Sequence, residues 1–152
     1  MRKIIEEICK SLMSPNLTCE VLSVDKGANT CDVKPLNGGA DIYDVQLRAD
    51  NGGSKGQIIY PSVKSLVLVS PLDGDKANFY VAMFSDVDEV VCEISDTRMI
   101  TGKDGVLIAK GNDGLKEVMN EMVNQMLKIY APKDVPGLTK LKTRIKNLLK
   151  DA

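Results

Sequence analysis

Histidine is absent from the 152 residues, and with it go the commonest general base, the usual partner of a nucleophilic Ser or Cys, and the commonest zinc ligand. Tryptophan is absent as well, and four Tyr with two Phe leave little aromatic surface on which a single-strand binder would stack bases. The cysteines number only four, Cys9, Cys19, Cys31 and Cys92, with no C-x-x-C pair, which excludes a disulfide scaffold and points to buried free thiols. No run approaches the roughly 18 apolar residues of a membrane span. Glu6 and Glu7 interrupt the N-terminal segment where a signal peptide needs a continuous apolar stretch, so neither a membrane anchor nor signal-peptide secretion is expected. An excess of one charge is also lacking: Lys plus Arg total 20 against 21 Asp plus Glu, a net charge of −1, which removes the global pull on phosphates and disfavours nucleic acid as a partner.

What remains is an ordinary globular balance, 43% apolar and 27% charged, in a chain sized for one domain with a small appendage. Ile4, Ile5, Ile8, Cys9 and Leu12 recur at helical spacing, so residues 1–14 are expected to form a short helix ended by Ser14-Pro15-Asn16. Residues 15–110 change to short β-branched runs divided by Gly, Asn, Asp and Pro, the pattern of a small β-barrel with a following hairpin. Leu17 to Asp25 and Thr30 to Leu36 read as a hairpin across Lys26-Gly27-Ala28-Asn29. Ile42 to Arg48 is a third strand, with Tyr43, Val45 and Leu47 expected on one face. Ala49 to Gly56 holds three glycines and is expected to be an exposed loop; its spacing fails the phosphate-cradling G-x-x-x-x-G-K-[ST] pattern. Leu66 to Val69, continuously apolar, suits a strand covered on both faces. Ala77 to Phe84 and Val87 to Ile94 read as an antiparallel pair around Ser85-Asp86, and Arg98 to Thr101 with Val106 to Ala109 as another across Gly102-Lys103-Asp104-Gly105.

Residues 111–152 read as a helical hairpin. Leu115, Val118, Met119, Met122, Val123, Met126 and Leu127 lay a wide apolar stripe along one helix with Asp113 as its expected N-cap. Pro132 and Pro136-Gly137 interrupt it; Leu138, Leu141, Ile145, Leu148 and Leu149 form a second stripe. Both stripes need a surface to cover them, either the chain's own or another subunit's.

No set of residues suggests catalysis, and no catalytic, cofactor-binding or metal-ligating residue is expected. Asp73-Gly74-Asp75 and Asp86-Val87-Asp88-Glu89 are acidic, but the second has Val90 and Val91 where a calcium loop needs an oxygen ligand and Gly. From Pro132 onward the chain carries +4 and the remainder −5, an asymmetry read as a solvated helical face.

Cys31-Asp32-Val33-Lys34-Pro35-Leu36, Ile42-Tyr43-Asp44-Val45-Gln46-Leu47 and Pro61 to Val69, followed by Phe79-Tyr80-Val81 and Ser85-Asp86-Val87-Asp88, resemble the N-terminal oligonucleotide/oligosaccharide-binding (OB) barrel of phage baseplate hub and spike proteins. The helical segment Leu115 to Lys150 resembles the C-terminal part of small phage and prophage proteins built on that barrel. Spike proteins of the family usually have Gly where this chain has Lys64, and those that pierce membranes often end in a β-helix with a His-x-His iron site, which a chain without histidine cannot form. The resemblance implies a mainly β fold with α: an OB-like antiparallel barrel, a short N-terminal helix and a C-terminal helical hairpin. It implies a non-enzymatic tail component, in the virion or in the host cytoplasm before assembly. Its partners would be its own copies, as a trimer, and other tail or baseplate proteins. The residues expected at the interface between copies are Val106, Ile108, Leu115, Met119, Met122, Met126, Leu141, Ile145 and Leu148. An OB-fold protein binding single-stranded nucleic acid is the alternative.

Overall fold

Alternation of small apolar residues shapes the first strand, β1 (Leu17–Asp25), which buries Cys19 and Val21 and leaves Thr18 and Leu22 exposed. The computed structural model describes residues 16–49, 55–72, 77–129 and 135–149, so the expected helix over residues 1–14, the glycine-rich residues 50–54 and the acidic Asp73-Gly74-Asp75 lie outside the described residues. Asp25 ends β1 by accepting hydrogen bonds from the N–H groups of Gly27 (2.8 Å) and Ala28 (3.1 Å). Asn29, with φ 57°, then returns the chain into β2 (Thr30–Pro35), a role its short polar side chain tolerates. Val21 pairs with Val33 and Cys19 with Pro35, which confirms the expected hairpin.

Three further strands close the barrel: β3 (Ile42–Gln46), β5 (Leu66–Pro71) and β6 (Phe79–Phe84), with β4 (Gly56–Pro61) inserted in the chain before β5. The barrel order is β1-β2-β3-β6-β5, closed by β5 pairing with β1. All its pairs are antiparallel except β3 with β6, which run parallel at Gln46 and Tyr80. Five strands in this order are compatible with an OB-fold. The narrow interior is filled by Cys19, Val21, Cys31, Val33, Val45, Val67 and Val69, with Phe79, Val81 and Phe84 packed around them. Side chains of this size suit so small a barrel.

Several expectations are corrected. Tyr43 does not share a face with Val45: Asp44 takes φ 57° and its N–H donates to Asp32 Oδ1 at 3.2 Å, which breaks the alternation and leaves Tyr43 64% exposed. Gly56 opens a strand rather than ending a loop. The pairing expected between β6 and β7 (Val87–Ile94) does not form; β6 pairs with β5, and β7 with β8 (Thr97–Gly102). Ser85 and Asp86 make a corner there, because Ser85 Oγ accepts the Leu66 N–H (2.9 Å) and Asp86 Oδ1 accepts the Val87 N–H (2.9 Å). Neither takes the positive φ that a tight hairpin turn requires. At Lys64, the backbone adopts φ 71°, the left-handed conformation that glycine occupies without strain.

Strand β9 (Gly105–Lys110) pairs with β8, and the short β10 (Asp113–Gly114) with β9, giving a second sheet of order β10-β9-β8-β7-β4. Helices α1 (Leu115–Ile129) and α2 (Val135–Leu148) follow. Asp113 is not the N-cap, because it sits in β10 opposite Lys110. Pro136 does not hold α2 back to Leu138 either: it occupies the first helical turn, where its missing N–H has no helical acceptor to lose. The described residues divide into two compact units, one made of those up to 49 and Ile58–Asp88, the other of residues 55–57 and those from Glu89 onward.

Candidate assembly surface

Reactive groups in the barrel are held back. Cys31 is buried in the core, and its thiol is pushed up to about 12, first by burial, then by the neighbouring Asp32 carboxylate and Cys19. Burial raises Cys19 in the same direction. Thiols kept protonated in this way are poor nucleophiles at neutral pH. Asp88 Oδ1 accepts the Ser62 hydroxyl (2.9 Å), so part of the Asp86-Val87-Asp88 cluster is used to hold the corner. Among the described residues no three of His, Cys, Asp and Glu gather to share a metal ion. The barrel does carry a cleft of about 230 Å³ beside the parallel β3–β6 junction, where Gln46, Arg48 and Tyr80 border Leu47, Leu72 and Val81.

In the second unit the sheet register creates an apolar row. Cys92 lies opposite Met99 and Met99 opposite Ile108, so the three stand side by side across β7, β8 and β9. Met99 is 47% exposed and Ile108 40%, and Ile94, next along the same face of β7, is 68% exposed. The row is set by the tight β8–β9 connection, in which Gly102 pairs with Gly105 and Lys103-Asp104 turn the chain. A polar groove of about 390 Å³ lies near the β7–β8 turn, lined by Glu93, Asp96, Arg98 and Asn112; the Gly111 N–H donates to the Asp96 carbonyl at 2.9 Å and ties its two turns together.

The nine residues expected at an interface separate into two groups. Ile145 is buried with Val123 and Leu149, and Val106 and Met119 pack against that cluster, so these three are used within the chain. Ile108, Leu115, Met122, Met126, Leu141 and Leu148 are exposed. Val118, 54% exposed on α1, and Met99 join them without having been expected there. Helical spacing marks Val118 as part of the stripe, and the Gly102 to Gly105 turn, once its register is taken, sets Met99 beside Ile108.

No protein-family model matches this chain, and no curated protein and no solved structure matches it either. Among the described residues no helix is long and apolar enough to cross a membrane.

Proposed function

We propose that this chain is a non-catalytic, self-assembling structural component of a phage or prophage tail, a hub- or spike-like barrel that forms a trimer and joins tail-tip proteins. The observation that carries this reading is the apolar surface left open on the second unit, the Met99–Ile108 row and the outer residues of α1 and α2. Surfaces of this kind on a folded chain mark sites of association. The closed five-stranded barrel, compatible with an OB-fold, and the sequence motifs that resemble tail-tip proteins support the choice of assembly.

Sedimentation velocity of the full chain at micromolar concentration tests self-association: a species of three chain masses is expected, and a monomer overturns it. Mass spectrometry of purified tail particles from the strain that carries the gene tests the setting. The chain is expected among the particle proteins, and its presence only in the free cell extract overturns the tail assignment.

The cleft bordered by Tyr80, Gln46 and Arg48 favours a second reading, a barrel that stacks and holds a single-stranded nucleic acid. Anisotropy of a labelled oligonucleotide at low salt decides it, since absence of binding there removes the electrostatic contribution as well as the stacking one.

A further inference from the structure

The turn between β2 and β3 sets an amide side chain against its own backbone. Asn37 is followed by Gly38 and Gly39, and among the described residues it is the only asparagine with glycine next in the chain. Its Oδ1 accepts the Gly39 N–H at 3.0 Å, an Asx turn that folds the side chain back over the intervening Gly38 peptide. Asn37 Cγ and the Gly38 nitrogen are therefore both members of the ring which that bond closes. A Cβ on Gly39 would stand 3.2 Å from Asn37 Oδ1, so the absence of a side chain there lets the two groups approach.

Folding ordinarily protects an asparagine by engaging the next N–H, by crowding it, or by burying the amide, and none of these operates at Asn37. The Gly38 N–H donates to the Pro35 carbonyl at 3.4 Å, longer than a good bond of this kind, so little is lost when it leaves. Gly38 has φ +82° and nothing within 4 Å of its Cβ position, which leaves its nitrogen open to solvent. Asn37 itself is exposed. The Gly39 N–H adds a positive contribution, because it points at the oxygen on which negative charge would develop if a nucleophile attacked Cγ.

We propose that Asn37 is a site of spontaneous deamidation, with water as the only co-reactant. Solvent base takes the Gly38 N–H proton, and the nitrogen attacks Asn37 Cγ. As that N–C bond forms, the Cγ–Nδ2 bond breaks and ammonia leaves with a proton returned by solvent, giving a cyclic imide. Water then opens the imide at Cγ, leaving aspartate, or at the main-chain carbonyl, leaving isoaspartate. One water is consumed, one ammonia is released and no electrons are exchanged. Either product adds one negative charge to a chain of net charge −1, and isoaspartate also lengthens the β2–β3 connection by one backbone carbon. The strand before the turn is anchored independently, since the Leu36 N–H donates to the Thr18 carbonyl at 3.0 Å and Pro35 pairs with Cys19.

The test keeps the full chain at mildly alkaline pH, folded in one sample and unfolded in urea in the other, and follows both over days by tryptic digestion and tandem mass spectrometry. Trypsin does not cut Lys34 before Pro35, so Asn37 falls in the peptide Gly27–Arg48, whereas Asn51, which two glycines also follow, falls in Ala49–Lys55 and is counted separately. In the folded chain Asn37 is expected to convert at no less than about a third of its unfolded rate, because the turn already holds the reacting atoms in one ring. Asn29, Asn112 and Asn124 are expected to stay intact over the same period. A slower folded rate at Asn37 overturns the proposal. Gly38→Ala crowds the attacking nitrogen and is expected to slow conversion about tenfold or more. An unchanged rate in that variant overturns attack by the Gly38 nitrogen.

Discussion

Gly105 lies against the carbonyl of Leu148: a Cβ built on Gly105 would come within 2.7 Å of that oxygen. Gly105 also holds φ +120°, so the position excludes other residues twice, by backbone conformation and by the close passage of the end of α2. The adjacent Val106 bridges Leu149 and packs against the Val123–Ile145 cluster, which makes this the point where β9 receives the helical pair.

Gly105→Ala is therefore expected to destabilise the second unit by more than the roughly 1–3 kcal/mol of a strained backbone conformation alone. Gly111→Ala is the control, since Gly111 has φ +58° with nothing within 4 Å of its Cβ position, and only the conformational cost of about 1–2 kcal/mol applies. Thermal melts followed at 222 nm should show the larger fall for Gly105→Ala. Equal falls would mean that α2 moves away freely.

Lys64 gives the opposite case. Its φ of 71° is costly for a side chain with a Cβ, while its N–H donates to the Val21 carbonyl at 2.8 Å and holds the turn against β1. Lys64→Gly keeps that hydrogen bond and removes about 1–2 kcal/mol of strain, against about 0.5–1 kcal/mol of added chain entropy in the unfolded state. The variant is expected to melt a few degrees higher; a lower melting temperature would show that the lysine stem contributes packing that outweighs the strain.

The difference between these two glycine questions shows what was legible in the sequence. Strands β1 and β7 were readable to their ends, because Leu17–Asp25 and Val87–Ile94 are bounded by turn residues and alternate or run apolar between them. Strand β4 was hidden by the glycines before it, and the bulge at Asp44 by the fact that its cause, the Asp32 carboxylate, lies on another strand. The sequence suggests a β6–β7 pairing that does not form, because Ser85 and Asp86 resemble a hairpin turn until their partners at Leu66 and Ser62 are known. At the candidate assembly surface the 3.6-residue period reveals the α1 stripe. Its division into a buried Val123 line and an open Met122–Met126 line depends on where α2 lies, which no local pattern encodes.

Cys31 makes barrel stability depend on pH in alkaline solution. Its thiol is raised from 9.0 to about 12 in the fold, so between those values the unfolded chain releases a proton that the folded chain keeps. The stabilisation is present in full below pH 9 and is lost as pH rises toward 12, with a slope of at most about 1.4 kcal/mol per pH unit. Denaturant midpoints at pH 8 and 10.5 should fall further for wild type than for Cys31→Val, in which the other titrating groups are unchanged. Parallel falls in the two proteins would show that burial does not hold this thiol neutral.

Ile108 tests the sheet's part in the proposed assembly independently of the helices. It is 40% exposed, stands beside Met99 and Cys92, and makes no contribution to the cluster formed by Val123, Ile145 and Leu149. A lysine there keeps its charge in water in the isolated chain, so Ile108→Lys should shift the melting temperature of the monomer little; surface changes of this kind stay within about 0.5 kcal/mol. If the Met99–Ile108 row is closed by another copy, the same charge is desolvated without a partner on association, and assembly should weaken by at least about a hundredfold. Sedimentation across a concentration series separates the outcomes. Unchanged assembly would leave the sheet face open to solvent in the oligomer and assign association to the helices alone.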